Sequence, residues 1–282
     1  MTKTIGRSKQ LGKFDGILIC TDLDGTLLRK DKSVSAENKE AIEYFKSEGG
    51  FFTFVTGRMP YYVNDTLKMV EPNIAFGCAN GGGLYDHIKG EYLWKSTMSD
   101  KIMKLVRCID EKFPAAGIQV CTFEKTYFAK NNEATAYFRK VTGLPNYTCH
   151  YDDVDEPISK ILFCTDDNQE ILDIQETLYN HPLSGEFEFI RSERRLYEIL
   201  PKGITKGTSI TKLCETAGID INKTIAIGDY NNDIPMFGAA KIGIAVANAC
   251  QDAIDAADFV TVSNEEHAIA KVIYDIENGK YI

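Results

Sequence analysis

Residues 17–28 read ILICTDLDGTLL. An apolar run this short and this rich in isoleucine suits a strand buried on both faces. It ends in two aspartates, a glycine and a threonine. Two carboxylates beside an apolar strand repel each other and lose solvation. Their position asks for a cation to hold them there.

Other runs resemble the first. GILICT (16–21), FFTFVT (51–56), IAFGCA (74–79), TIAIGD (224–229) and IGIAVA (242–247) are short, apolar and bounded by turn residues. Helical patterns alternate with them. Ser35 is a candidate N-cap for a helix carrying Ala41, Ile42 and Phe45, stopped by Gly49 and Gly50. Ile210, Leu213 and Cys214 share a face of a helix over 206–217, stopped by Gly218. Pro235 suits the first turn of another. This alternation predicts an α/β fold, a doubly wound, Rossmann-like parallel sheet.

The middle of the chain differs. Tyr85 to Trp94 reads as a hairpin turning at Lys89-Gly90, Ser99 to Phe113 as a helix, 118–129 as a second hairpin and 168–179 as a helix. The expected organisation is a catalytic core from 14–83 and 200–282, an inserted α+β cap over 84–199, and a flexible tail over 1–13.

The chain has 282 residues, 44% of them hydrophobic and 26% charged, with a net charge of −9. This balance argues against non-specific binding to nucleic acid or an anionic membrane. Eight cysteines contain no Cys-x-x-Cys pair and read as free thiols of a reducing, cytoplasmic compartment. No stretch is long enough to span a membrane.

In an open parallel sheet, ligands bind beyond the carboxyl ends of the strands. Four runs end in polar groups: Asp22 and Asp24; Thr56, Gly57 and Arg58; Asn80; and Asp229, Asn231, Asn232 and Asp233. Any one of them reads as a cap or turn; four together define a site. Asp22 and Asp24 point the same way in extended chain, and Asp229 adds a third carboxylate. Four scattered histidines offer no zinc spacing. Oxygen ligands with room for water indicate Mg²⁺, and such sites complete their shell with phosphate. Lys206 opens a predicted helix, where its charge opposes the dipole at a cost of about 0.3–1 kcal/mol; it is placed to neutralise that phosphate. Neither a G-x-x-x-x-G-K-[ST] loop nor a G-x-G-x-x-G turn follows a strand. Phosphate is therefore expected on dispersed groups: the Leu23 amide, Thr56, Gly57, Lys206 and Asn232, with Arg58 and Asn80 at the same edge.

Asp22-Leu23-Asp24-Gly25-Thr26, Thr56-Gly57-Arg58, Lys206 and Gly228-Asp229-Tyr230-Asn231-Asn232-Asp233 resemble the four motifs of the haloacid dehalogenase-like superfamily. The Ala79-Asn80-Gly81-Gly82 step and the spacing are similar to its Cof-type phosphatase branch, over nearly the whole chain from about residue 15. The resemblance implies Asp22 as nucleophile and Mg²⁺ ligand. Asp24 would act as general acid and then base, binding Mg²⁺ through its carbonyl. Thr56 and Lys206 would bind the phosphoryl group. Asp229 would be a Mg²⁺ ligand, Asp233 a support at one remove, and Asn232 a phosphate contact or a guide for Lys206. The crowd of carboxylates is expected to raise the Asp24 pKa. Arg191, Arg194 and Arg195 read as a solvated face or ion pairs in preference to a reader of a second anionic group, and Tyr92 and Trp94 as cap core in preference to a substrate platform. The implied activity is a phosphatase of small phosphorylated metabolites, with sugar phosphates foremost, acting as a monomer or weak homo-oligomer. A phosphomutase or phosphotransferase and a receiver-like phospho-accepting module are the alternatives.

Overall fold

The computed structural model describes residues 12–281, with the side chain of Val141 left aside. All but the last two residues of the expected N-terminal tail lie outside that range. Leu18–Thr21 forms the first strand. It pairs in parallel with Phe51–Phe54 on one side and Thr224–Gly228 on the other. Ile242–Ala245 and Phe259–Val260 continue the sheet beyond Thr224–Gly228, also in parallel. The strands alternate their side chains as an extended chain must. Ile17 and Ile19 enter a core with Phe45, Ile269 and Ile273. Leu18 and Cys20 enter the opposite core with Ile210, Leu213 and Met236. Helices Ala36–Ser47 and Ala268–Glu277 thus cover one face and Lys206–Ala217 covers the other, as in a doubly wound fold.

The predicted elements have clear local causes. Ser35 accepts the Asn38 amide at the first helix N-terminus. Thr205 and Thr208 form a reciprocal capping box ahead of Lys206–Ala217, and Gly218 ends that helix with φ of 67°. The expected hairpin spans Gly83–Asp86 and Glu91–Lys95. It pairs with Phe76–Cys78 in a separate three-stranded antiparallel sheet, where Phe76 meets Tyr85 and Cys78 meets Gly83. Tyr92 packs edge-on against Tyr85 and Phe123, and Trp94 packs on the cluster that holds Leu18, Leu84 and Ile210. Both are partly buried, and Trp94 lies against the core of the parallel sheet where the core of the cap was expected.

A five-stranded antiparallel sheet fills the middle of the chain. Its order is Thr126–Lys130, Gly117–Thr122, Ile158–Cys164, Leu196–Pro201 and Phe187–Glu193. Helices Ile102–Lys112 and Asn168–Tyr179 pack on it around Val106, Ile161, Phe163 and Ile174. The helices Glu133–Thr142 and Ala268–Glu277 were not among the sequence expectations; Asn132 caps the former through a capping box. All eight cysteines are free. No helix among the described residues is long and apolar enough to cross a membrane.

Candidate active site

The chain leaves Leu18–Thr21 toward Phe51–Phe54, and later leaves Thr224–Gly228 toward the opposite edge of the sheet. The point where the winding reverses lies between these two central strands. This is where an open α/β sheet forms its crevice. In register, Thr21 faces Ile227, and the Asp22 amide donates to the Ile227 carbonyl at 2.8 Å. The residues just beyond both strands, Asp22 and Asp229, therefore meet.

They meet closely. Asp22, Asp229 and Asp233 each offer an oxygen within 4.8 Å of the others. Lys206 Nζ donates to Asp22 Oδ1 at 2.6 Å and to Asp233 Oδ1 at 2.5 Å, buried at the start of its helix. These two carboxylates answer the unfavourable dipole that the lysine meets there. Asp233 Oδ2 accepts the amides of Asp229 and Tyr230, so both its oxygens are engaged. Thr26 donates to Asp229 Oδ1 at 2.9 Å. Among the described residues, Asp22 Oδ2 and Asp229 Oδ2 receive no protein donor. Gly25 makes room for this arrangement: its φ is +86°, and a Cβ there would sit 2.4 Å from Asp229 Oδ2.

The electrostatics follow. Burial pushes the Asp22 carboxyl above its usual range despite Lys206, and the Asp233 and Asp24 carboxylates add to the rise. Asp229 is raised by burial and then by Asp22 and Asp233. Burial works against the Lys206 ammonium, but Asp22 and Asp233 together hold its pKa above the usual lysine range. Lys206 faces three carboxylates, so the cluster lacks positive charge. Oxygen-only donors with two free carboxylate oxygens fit a hard divalent cation.

Asp24 departs from expectation. The chain turns after Thr21 instead of staying extended, so the Asp24 carboxylate leaves the cluster. Arg58 grips it with a fork, Nε to Oδ2 at 2.7 Å and Nη2 to Oδ1 at 2.6 Å. Lys32 adds a contact of 2.8 Å. Burial would raise the Asp24 pKa, but Arg58 and then Lys32 outweigh it and hold it at about 2. The expected rise belongs instead to Asp22 and Asp229. Arg58, expected at phosphate, is committed to Asp24 and lies 4.6 Å from the Tyr62 ring centroid.

The remaining expected residues gather at the same edge. Thr56 is buried, with its hydroxyl oxygen accepting the Arg58 amide. Leu23 turns its side chain into the core; its carbonyl accepts the Thr26 and Leu28 amides, which leaves its own amide for the site. Asn232 donates to Asn80 Oδ1 at 3.1 Å, and among the described residues it makes no hydrogen bond to Lys206. A cavity of about 500 Å³ opens above them, lined by Asp22, Thr56, Arg58 and Asn232 below and by Lys160 and Glu198 of the second sheet above. Arg194 also lines it, whereas Arg191 donates to Asn168 and Arg195 pairs with Asp166.

Sequence reasoning quoted Thr26 in its motif without giving it a role, and it missed Lys32, Lys160 and Glu198. Two of them left a signal: Lys160 begins the apolar run KILFCT and Glu198 interrupts LYEIL. Charges inside buried strands must find partners.

A family model described as haloacid dehalogenase-like hydrolase matches residues 19–273, and the chain belongs to this family of hydrolases. A 5-amino-6-(5-phospho-D-ribitylamino)uracil phosphatase of Bacillus subtilis (strain 168), YwtE, is 30% identical over 293 residues, covering 93% of this chain and 99% of its own. Two solved structures share the fold. One, a haloacid dehalogenase-like hydrolase from Bacteroides thetaiotaomicron, has a TM-score of 0.78 at 24% identity, covering 92% of this chain and 99% of that one. The other, a HAD subclass IIB sugar phosphatase, BT4131, has a TM-score of 0.81 at 21% identity, covering 92% and 98%.

Proposed function

We propose that the protein is a Mg²⁺-dependent phosphatase that hydrolyses small phosphorylated metabolites, sugar phosphates foremost, through an aspartyl-phosphate on Asp22. The observation that carries this reading is the meeting of Asp22, Asp229 and Asp233 within 4.8 Å, with Lys206 bridging two of them below a cavity large enough for a metabolite. The antiparallel sheet and its helices act as a cap over that cavity, shielding the reaction from water. The B. subtilis relative is named for a phosphorylated ribityl compound, and one fold neighbour for sugar phosphates; both support a polyhydroxylated leaving group.

The Asp22 carboxylate attacks phosphorus, and the ester P–O bond breaks as the new one forms. The leaving alkoxide takes a proton from Asp24. Water then attacks phosphorus and gives a proton back to Asp24, which releases inorganic phosphate and restores the Asp22 carboxylate. Lys206 and Thr56 hold the phosphoryl oxygens, with the Leu23 and Gly57 backbone beside them. Asp22, Asp229 and the Asp24 carbonyl, supported by Asp233, would hold Mg²⁺, which would supply charge to offset repulsion between carboxylate and phosphate. Asp24 forked to Arg58 is in the form that accepts a proton. The general-acid step requires Arg58 to release Asp24 toward the substrate anion, so that the freed carboxyl takes up a proton from solvent before the ester bond breaks.

The enzyme acts in the cytoplasm as a monomer or weak homo-oligomer; eight free thiols and a net charge of −9 support a reducing compartment and a small-molecule substrate. Asp22→Asn tests the central claim. Phosphate release from p-nitrophenyl phosphate and from a panel of sugar phosphates is expected to fall at least a thousandfold, with the circular dichroism spectrum unchanged. Turnover comparable to wild type would remove Asp22 from the nucleophile role.

A further inference from the structure

Lys160 and Glu198 stand on adjacent strands of the antiparallel sheet, Ile158–Cys164 and Leu196–Pro201. Their side chains are 6% and 2% exposed and meet at 2.8 Å. Buried ion pairs are poor sources of stability, because desolvation of both charges offsets their attraction and apolar pairs of similar volume do as well. Stability alone gives no reason for a lysine and a glutamate here.

Their other contacts give one. Lys160 Nζ also donates to the Gly57 carbonyl at 2.8 Å. Glu198 Oε2 also accepts from Asn80 Nδ2 at 3.0 Å. Asn80 in turn accepts from Asn232 at 3.1 Å. One buried chain thus runs from the five-stranded antiparallel sheet to three loops: the loop after Phe51–Phe54 and the loop holding Asp229 and Asp233, both of the parallel sheet, and the loop after Phe76–Cys78 of the three-stranded sheet. The middle loop needs such support. Ala79 and Asn80 both have φ of 52°, a left-handed conformation that residues with a side chain rarely adopt. Gly57 lies against it closely enough that a Cβ would sit 2.9 Å from Asn80 Oδ1.

We propose that Lys160 and Glu198 are positioning residues: seated over the crevice, this buried pair holds the Thr56-Gly57-Arg58 and Ala79-Asn80 loops in the geometry that receives the phosphoryl group. The proposal rests on the phosphatase reading for its catalytic consequence and on geometry alone for its structural one. It makes the placement of the second sheet a condition for an assembled phosphate site.

The test uses the full chain with Lys160→Met, Glu198→Gln and the double variant K160M/E198Q. Each single change leaves a buried charge without its partner, and the folded protein is expected to melt lower. The double change removes both charges and keeps an acceptor for Asn80, so its melting temperature is expected to return near wild type. Amide hydrogen exchange of the peptide covering Thr56–Arg58, which loses the Lys160 contact, is expected to be at least tenfold faster in the double variant, with Ala79–Gly82 changing less because Asn80 keeps an acceptor, and the sheet strands unchanged. With p-nitrophenyl phosphate, kcat is expected to fall at least tenfold while KM stays within threefold. A double variant with unchanged exchange at Thr56–Arg58 overturns the proposal, and so does faster exchange with kcat within twofold of wild type. Should the wild-type protein itself release no phosphate, the phosphatase reading fails and the exchange measurement still decides the positioning role.

Discussion

Asp24 is gripped by Arg58 and touched by Lys32, and this sets its charge state. A carboxyl held at about 2 is depressed relative to the unfolded chain. Its contribution is therefore complete above the unfolded value near pH 4 and is lost as pH falls toward 2. Allowing for the partial exposure of Asp24, that contribution is on the order of 1–2 kcal/mol. Arg58→Met is expected to melt lower than wild type at pH 5, with the gap closing as the pH is lowered from about 4 to about 2. A gap independent of pH would mean that Arg58 acts through packing on Tyr62. This fork could not be read from DLDGT and TGR as strings. The sequence places Asp24 two residues from Asp22, but a turn after Thr21 decides which way the carboxylate faces.

The segment Ala79–Gly81 ties one element to another. Gly81 has φ of +98°, and a Cβ there would lie 1.8 Å from the Thr205 carbonyl. That carbonyl belongs to the residue capping the helix Lys206–Ala217. Gly81→Ala is therefore expected to destabilise by about 2–4 kcal/mol, since both the conformation and a backbone contact are lost. The cost falls on the helix that carries Lys206, so phosphatase activity is expected to drop in the surviving folded fraction as well. A urea midpoint equal to wild type would refute the contact. The strands and capped helices were legible because their causes are local: β-branched runs bounded by turns, Ser35 before its helix, Gly218 after another. The helix Ala268–Glu277 was less legible. Its face of Ile269, Val272, Ile273 and Ile276 begins after His267 with φ of 64°, where no capping side chain announces it.

Across the whole molecule, the acidic cluster draws on distant parts of the chain. Lys206 meets Asp22 over 184 residues, and Thr26 meets Asp229 over 203. A divalent cation bound there favours the folded chain alone, because the unfolded chain has no cluster to offer. At a hundred times its Kd, such a ligand stabilises by about 2.7 kcal/mol, or roughly 5 °C or more for a chain of this size. Mg²⁺ is expected to raise the melting temperature of wild type by this amount, EDTA to reverse the rise, and Asp229→Asn to abolish it. A melting temperature indifferent to Mg²⁺ would count against a cation at this site. The sequence by itself determined the parallel α/β core, the strand ends that carry chemistry and the identity of the acidic and basic residues at them. These follow from periodicity and from local turn chemistry. Only the tertiary structure decided how the charges pair: Asp24 with Arg58, Lys206 between Asp22 and Asp233, and Lys160 with Glu198 against Gly57 and Asn80. Pairing is a matter of distance and burial between groups far apart in the chain, and no spacing along one strand or helix encodes it.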